Sequence, residues 1–467
     1  MASPTPIPRP PHVPILGNIR NVDQKNPWWS LKKLAEEHGE IFTIKVIFKA
    51  PVVFVASVAL ADELCDEKRF RKYVGGPIEE IRYAVHDALF TAFHHEEENW
   101  GKAHRIIAPK LSPQSVAERF DDMVSTTNEL LAKWRDLGPG AEVSAVGELN
   151  RLNLEATTLA LFGNKLNCLS GPEHPMLGGM EDSTSEAVLR PNRLPLMNPL
   201  KHQAKFTAST NVMRTYATQM IDNRNANSTD RKDLLSAMMS ASDPETGKKL
   251  EDSQVIDEII SMPIGSSTAP CMIATAIYYL IKNPEVVAKA REELDAVVGD
   301  DELEYSHLTQ LRYVEGMIRE SLRLSFAAPG FNIEPVPDAE KKPVLLAGGQ
   351  YQVPHDQKMV VVLAGVNRDP KVFEDPLAFK PERMVGERYE ELPIGARRYY
   401  GNGKRECVGK HYAWLWNMVV MAKLIKEVDF AMANPAYELT MDGWFNVRPI
   451  DFHVKVKPRE NSKNWTL

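Results

Sequence analysis

Only four of the 467 residues are cysteines, Cys65, Cys168, Cys271 and Cys407, and they lie far apart with no Cys-x-x-Cys pair. That spacing supplies neither a zinc site nor a disulfide framework, and it fits a reducing compartment. No uninterrupted apolar run reaches the ~18 residues of a membrane span. The proline-rich start, Ser3 to Pro14, has no apolar signal core. No transmembrane anchor is expected, and a cytoplasmic location is. Positive charge is in deficit as well, 56 Lys and Arg against 63 Asp and Glu, for a net charge of −7. A balance of that sign argues against nucleic acid as the main partner. Nor does any Ser/Gly-rich linker or long charge block divide the chain, so residues 1–467 read as one large domain instead of three of ~150 residues.

What is present is ordinary globular material, 43% hydrophobic and 25% charged, in a chain long enough to enclose a cofactor within its core. Apolar residues recur at three-to-four spacing from Trp28 to His38, Gln114 to Trp134, Leu149 to Phe162, Asn211 to Met239, Glu251 to Lys282 and Tyr313 to Leu324. Each stretch is predicted to be a helix. Between Leu169 and Arg193, proline, glycine and polar residues interrupt that period. Residues 41–57, rich in Ile, Val and Phe and broken by Pro51, predict a hairpin. With 344–353 and 439–456 they form the strands of a small β lobe. The expected fold class is mainly α with that lobe attached.

The most informative stretch is Tyr400-Gly-Asn-Gly-Lys-Arg-Glu-Cys-Val-Gly409. It sets Cys407 behind a loop with Gly401 and Gly403 and just ahead of a strongly periodic helix. Glycines allow a tight turn and close approach to a planar ligand, and a helix N-terminus lowers a thiol's pKa. A thiolate held there can serve as an axial haem ligand.

The pattern Tyr400-x-x-Gly403-x-Arg405-x-Cys407-x-Gly409 resembles the haem-binding signature of the cytochrome P450 family, with Tyr where the family usually has Phe. The chain as a whole is similar to the haem domain of the fused fatty-acid hydroxylases of bacilli and fungi. The resemblance implies a haem b lying between a long distal helix and the Cys407 loop, with Cys407 as the axial ligand of the iron. Tyr400, Gly401 and Gly409 frame that loop. Arg405, Trp100 and His104 would contact the haem, the last two being four apart and so on one helix face. The resemblance places Phe90, Ile264, Ala328 and Pro329 at the substrate pocket. Glu320, Arg323 and Arg383 match the family's structural ion-pair trio. Buried charges of this kind have to be mutually paired.

The distal helix departs from the family. Where an acid and a threonine usually stand together, this chain has Ile264-Gly-Ser-Ser-Thr-Ala269: Thr268 is kept, and Ser267 replaces the acid. Thr268 and Ser267 are the candidate catalytic residues. Pro263 and Pro270 each remove an N–H, leaving the carbonyls of Ile259 and Ser266 without helical partners. Water or side-chain hydroxyls are expected along a widened groove there, or else a plain kink.

The function implied is a haem-thiolate monooxygenase that inserts one atom of dioxygen into a hydrophobic, fatty-acid or lipid-like substrate. Its electrons would come from NADPH through a flavin reductase carrying FMN and FAD, fused C-terminally or acting in trans. Arg397, Arg398, Lys404 and Lys410 offer a docking face for an acidic donor or an ordinary solvated face. Only Lys49 supplies charge where fatty-acid hydroxylases hold a carboxylate. Two alternatives stay open: a peroxide-driven oxygenase or isomerase using the acid-less helix, and a haem sensor or carrier without turnover.

Overall fold

A computed structural model describes every residue except 1–3, 16, 19, 24–25, 46–49, 95, 194–195, 228, 444 and 460–467. Lys49 therefore lies outside the described residues. Helices dominate, as the periodicity predicts. The helix Ala145–Phe162 ends at Gly163, whose φ of 59° is the left-handed conformation that closes a helix. The distal stretch opens with a capping box in which the Glu251 side chain and Gln254 satisfy each other's backbone groups.

The polar stretch after Leu169 forms a helix after all, Pro175–Leu189. Proline is tolerated at its first position, and the His174 side chain accepts the Met176 N–H. Gly179 lets it close onto the helix Gln203–Ala226, since a Cβ there would stand 3.1 Å from the Ser209 carbonyl oxygen. Tertiary packing overrides weak local propensity here.

The strands are more dispersed than one lobe. Ile41–Ile44 and Val52–Val55 pair as expected, but they open a five-stranded sheet continued by Met359–Val362, Gly330–Pro335 and Phe70–Lys72. The 344–353 stretch is a separate hairpin. The 439–456 stretch divides between a hairpin, Met441–Gly443 with Val447–Pro449, and the strand His453–Pro458, which lies between Ala141–Ser144 and Val428–Met432.

The distal segment is two helices, Asp252–Ser266 and Thr268–Lys282, with the break at Ser267. Pro263 is accommodated inside the first. Pro270 falls in the first turn of the second, where its missing N–H would have had no helical partner. Taken together, Asp252–Lys282 is long and apolar enough to cross a membrane, although polar residues interrupt its apolar run. Its most apolar window is 67% buried inside the protein, as befits a core helix.

Candidate functional site

Cys407 leaves a short turn, Gly403–Arg405, and its N–H donates to the Tyr400 carbonyl oxygen at 2.9 Å. Gly401 and Gly403 have φ of 84° and 62°, so both need the freedom glycine gives. Gly409 then caps the helix Lys410–Glu427. Contacts from far in the sequence hold the loop: Asn402 donates to the Cys65 carbonyl oxygen at 2.7 Å, and Glu67 accepts the Lys404 N–H at 2.8 Å.

Of the four cysteines, Cys65, Cys168 and Cys271 are buried, and only Cys407 is accessible. The sulfur is nonetheless deep in the protein, and burial raises its pKa. The Gly409 N–H and the ammonium of Lys72 act in the opposite direction. The helix N-terminus alone therefore does not make a thiolate here; coordination to a metal ion would.

A cluster of cations gathers beside this loop. Arg405 donates to the carbonyl oxygens of Ala92 at 2.9 Å and Leu89 at 3.3 Å. Its guanidinium stands 5.5 Å from the Trp100 ring, which in turn stacks on His104 at 4.7 Å. Lys72 donates to the Phe90 carbonyl oxygen at 3.2 Å. Burial brings Arg405 down to about 10. Burial, then repulsion from Arg405, brings Lys72 down to about 7. Burial and the nearby arginines lower His104 as well.

Desolvated cations crowded together call for an anion. The Arg405 Nη1 and the Tyr400 hydroxyl are buried without a partner, and the donor set of Arg405, Lys72, Trp100 and His104 suits a group carrying carboxylates. With an accessible sulfur alongside, these residues fit a haem. Lys72 escaped the sequence reading because its neighbours come from residues 90 and 405, which no local pattern connects.

Glu320 and Arg323 are wholly buried and form two hydrogen bonds of 2.7 Å. Arg323 also donates to the carbonyl oxygens of Asn367, Pro376 and Ala378. Glu320 accepts the Lys380 N–H, and the Arg383 Nε lies 3.5 Å from the same carboxylate oxygen. The trio thus meets in space and fixes the chain from 367 to 383.

At the distal break, three consecutive hydroxyls fold back onto the helix. Ser266, Ser267 and Thr268 donate to the carbonyl oxygens of Pro263, Ile264 and Gly265 at 3.2, 2.7 and 3.2 Å. These hydroxyls answer carbonyls other than those of Ile259 and Ser266, which the prolines were expected to leave open. Ser267 also accepts from the Asn446 amide, and Ser266 accepts from Asn153. Ile264 is buried, whereas Gly265 and Ala328 are exposed and Phe90 is half-buried. Pro329 is buried, and its carbonyl oxygen accepts the Leu363 N–H. Among the four basic residues near Cys407, Arg397 pairs with Glu390, Arg398 with Asp62 and Lys410 with Glu406, so most of that face is neutralised.

Residues 7–455 match the family model described as Cytochrome P450. A self-sufficient cytochrome P450 monooxygenase of Phanerodontia chrysosporium is 35% identical over 97% of this chain and 43% of its own length. Bifunctional cytochrome P450/NADPH–P450 reductases of Aspergillus oryzae and Fusarium oxysporum are each 34% identical over 98% of this chain, covering 42% and 43% of their own lengths. The chain spans less than half the length of these relatives.

Proposed function

The chain belongs to the cytochrome P450 family, and on that premise we propose that it is the haem domain of a monooxygenase acting on a hydrophobic, fatty-acid or lipid-like substrate. The observation that carries this reading is the accessible Cys407 sulfur beside the buried, anion-seeking cluster of Arg405, Lys72, Trp100 and His104. Membership in the family implies a haem. When bound, it supplies oxygen activation, with electron density pushed from the cysteine thiolate to the iron.

The chain's own residues do the rest. Cys407 would hold the haem iron through its sulfur, and the cation cluster of Arg405, Lys72, Trp100 and His104 would take the haem carboxylates. The Glu320–Arg323–Arg383 trio keeps the preceding loop in register. Phe90, Ala328 and Pro329 bound the substrate space, and Ile264 packs behind it. Thr268 contributes a hydroxyl able to donate or accept a proton at the distal break. Electrons reach the domain from NADPH through a flavin reductase carrying FMN and FAD. The names of its fungal relatives include that partner. The reductase is fused in a longer protein or acts in trans, in the cytoplasm.

A second reading, a peroxide-driven oxygenase, is favoured by one observation: Ser267 stands where the family has an acid. The test is a haem spin-state screen against fatty acids and neutral lipids, then product analysis with NADPH and added reductase. The proposal expects substrate-shifted spectra and an NADPH-dependent oxygenated product. Turnover on peroxide but not on NADPH would replace it with the second reading.

A further inference from the structure

The segment from His86 to Phe93 lies between the helices Pro77–Val85 and Glu98–Ile107 and carries Phe90. It contains neither helix nor strand, so its shape depends on what its backbone groups meet. Leu89, Thr91 and Ala92 are buried, while the Phe90 side chain between them is half-buried. The backbone is sunk into the protein and one aromatic ring is presented.

Side chains from two directions pin this backbone. From the Cys407 side, Arg405 donates to the carbonyl oxygens of Leu89 and Ala92, and Lys72 donates to that of Phe90. From the distal helix Asp252–Ser266, the Glu258 carboxyl accepts the Leu89 N–H at 2.8 Å. The preceding acid, Asp257, meets the His86 Nδ1 at 2.9 Å and Arg214 of the helix Gln203–Ala226 at 2.6 Å. Two consecutive acids of the distal helix therefore hold the segment, but Glu258 is the one that bonds the backbone next to Phe90. It is almost wholly buried, and among the described residues its second carboxyl oxygen has no partner. A buried N–H that loses its acceptor draws its peptide toward another one, and the next residue in the chain moves with it.

We infer that Glu258 is a specificity-determining positioning residue. Through the Leu89 N–H it sets where the Phe90 ring stands, and thereby which carbon of a long-chain substrate the site presents for oxygen insertion. The inference rests on the monooxygenase reading, in which Phe90 bounds the substrate space. Glu258 acts through the backbone and not on the reacting atoms. Burial raises its carboxyl to about 8, so at neutral pH it is a neutral acid, which glutamine imitates with the acceptor retained.

The test supplies the haem-loaded chain with reductase, NADPH and dodecanoic acid and reads the ratio of hydroxylated positions by mass spectrometry. Glu258→Met keeps the length of the side chain and loses the acceptor. It should change that ratio about fivefold, the factor that a single hydrogen bond supplies. Glu258→Gln should keep the parent ratio. In a Phe90→Ala background Glu258→Met should change nothing further, because the ring through which it acts is gone. A parent ratio in Glu258→Met, or an undiminished change in the Phe90→Ala background, overturns the inference. A crystal structure of the haem-loaded parent chain tests the contact without any variant: the Leu89 N–H should remain on the Glu258 carboxyl, and a Leu89 N–H bonded elsewhere overturns the inference. A parent chain that yields no NADPH-dependent product marks failure of the monooxygenase reading itself, a result distinct from an unchanged ratio, and the inference falls with it.

Discussion

The loop that carries Cys407 and the helix break that carries Thr268 are held in opposite ways. Around the cysteine, side chains from distant segments answer backbone groups. Glu67 takes the Lys404 N–H, Asn402 reaches the Cys65 carbonyl oxygen, and Arg323 collects three carbonyl oxygens behind the loop. At the break, the backbone is answered locally by hydroxyls on the next turn, and an amide from the 441–449 hairpin joins at Ser267. The first arrangement is over-determined and rigid, as a cofactor seat requires. The second rests on single hydrogen bonds worth about 1 kcal/mol each. On the function proposed above, cofactor binding and reaction chemistry would thus be secured by different amounts of structure.

That contrast can be broken most severely at the sulfur. Cys407→Ala should abolish turnover and the thiolate-ligated haem spectrum while leaving far-ultraviolet circular dichroism unchanged, since removing an accessible side chain costs no core. Next in size is Arg323→Leu, which strands the buried Glu320 carboxylate. Unpairing such a group costs about 3–5 kcal/mol, so urea unfolding should shift by that amount and haem should be lost more readily.

A third prediction concerns Glu258 and stability. It is 2% exposed, among the described residues it accepts only the Leu89 N–H, and burial raises it to about 8. An ordinary glutamate titrates near ~4.3. Between those values the folded chain keeps a proton that the unfolded chain has released, so stability falls as pH rises from about 4.3 to 8. Glu258→Gln removes that dependence. The variant should be the more stable by as much as roughly 5 kcal/mol at pH 8 and above. The gap should close toward pH 4, as read from thermal unfolding across pH. The smallest effect belongs to Ser267→Ala, which removes a hydroxyl engaged with the Ile264 carbonyl oxygen and Asn446. Its cost in unfolding free energy should be about 1 kcal/mol, well below that of Arg323→Leu.

The same contrast explains what was legible in the sequence. Tyr400 to Gly409 is contiguous, and its glycines and cysteine declare themselves within ten residues. Glu320 and Arg323 share one helix face by spacing alone. Lys72, Asn153 and Asn446 carry no comparable signal, because each meets a partner over a hundred residues away, Arg405, Ser266 and Ser267 respectively. The two prolines foretold an interrupted distal helix, yet only one break formed, since Pro270 falls in a first turn that needs no N–H. The helix Pro175–Leu189 was hidden by Gly178 and Gly179, which weaken propensity; Gly179 permits the close packing that sustains the helix.

The central claim is that Cys407 anchors a haem used for NADPH-driven oxygen insertion. Its most direct test supplies the haem-loaded chain with a flavin reductase, NADPH, a fatty acid and isotopically heavy dioxygen, followed by mass analysis of the product. The account predicts one heavy oxygen atom in the hydroxylated product and no product without NADPH. Product that forms from peroxide alone, or a rearranged product carrying no label, would contradict it.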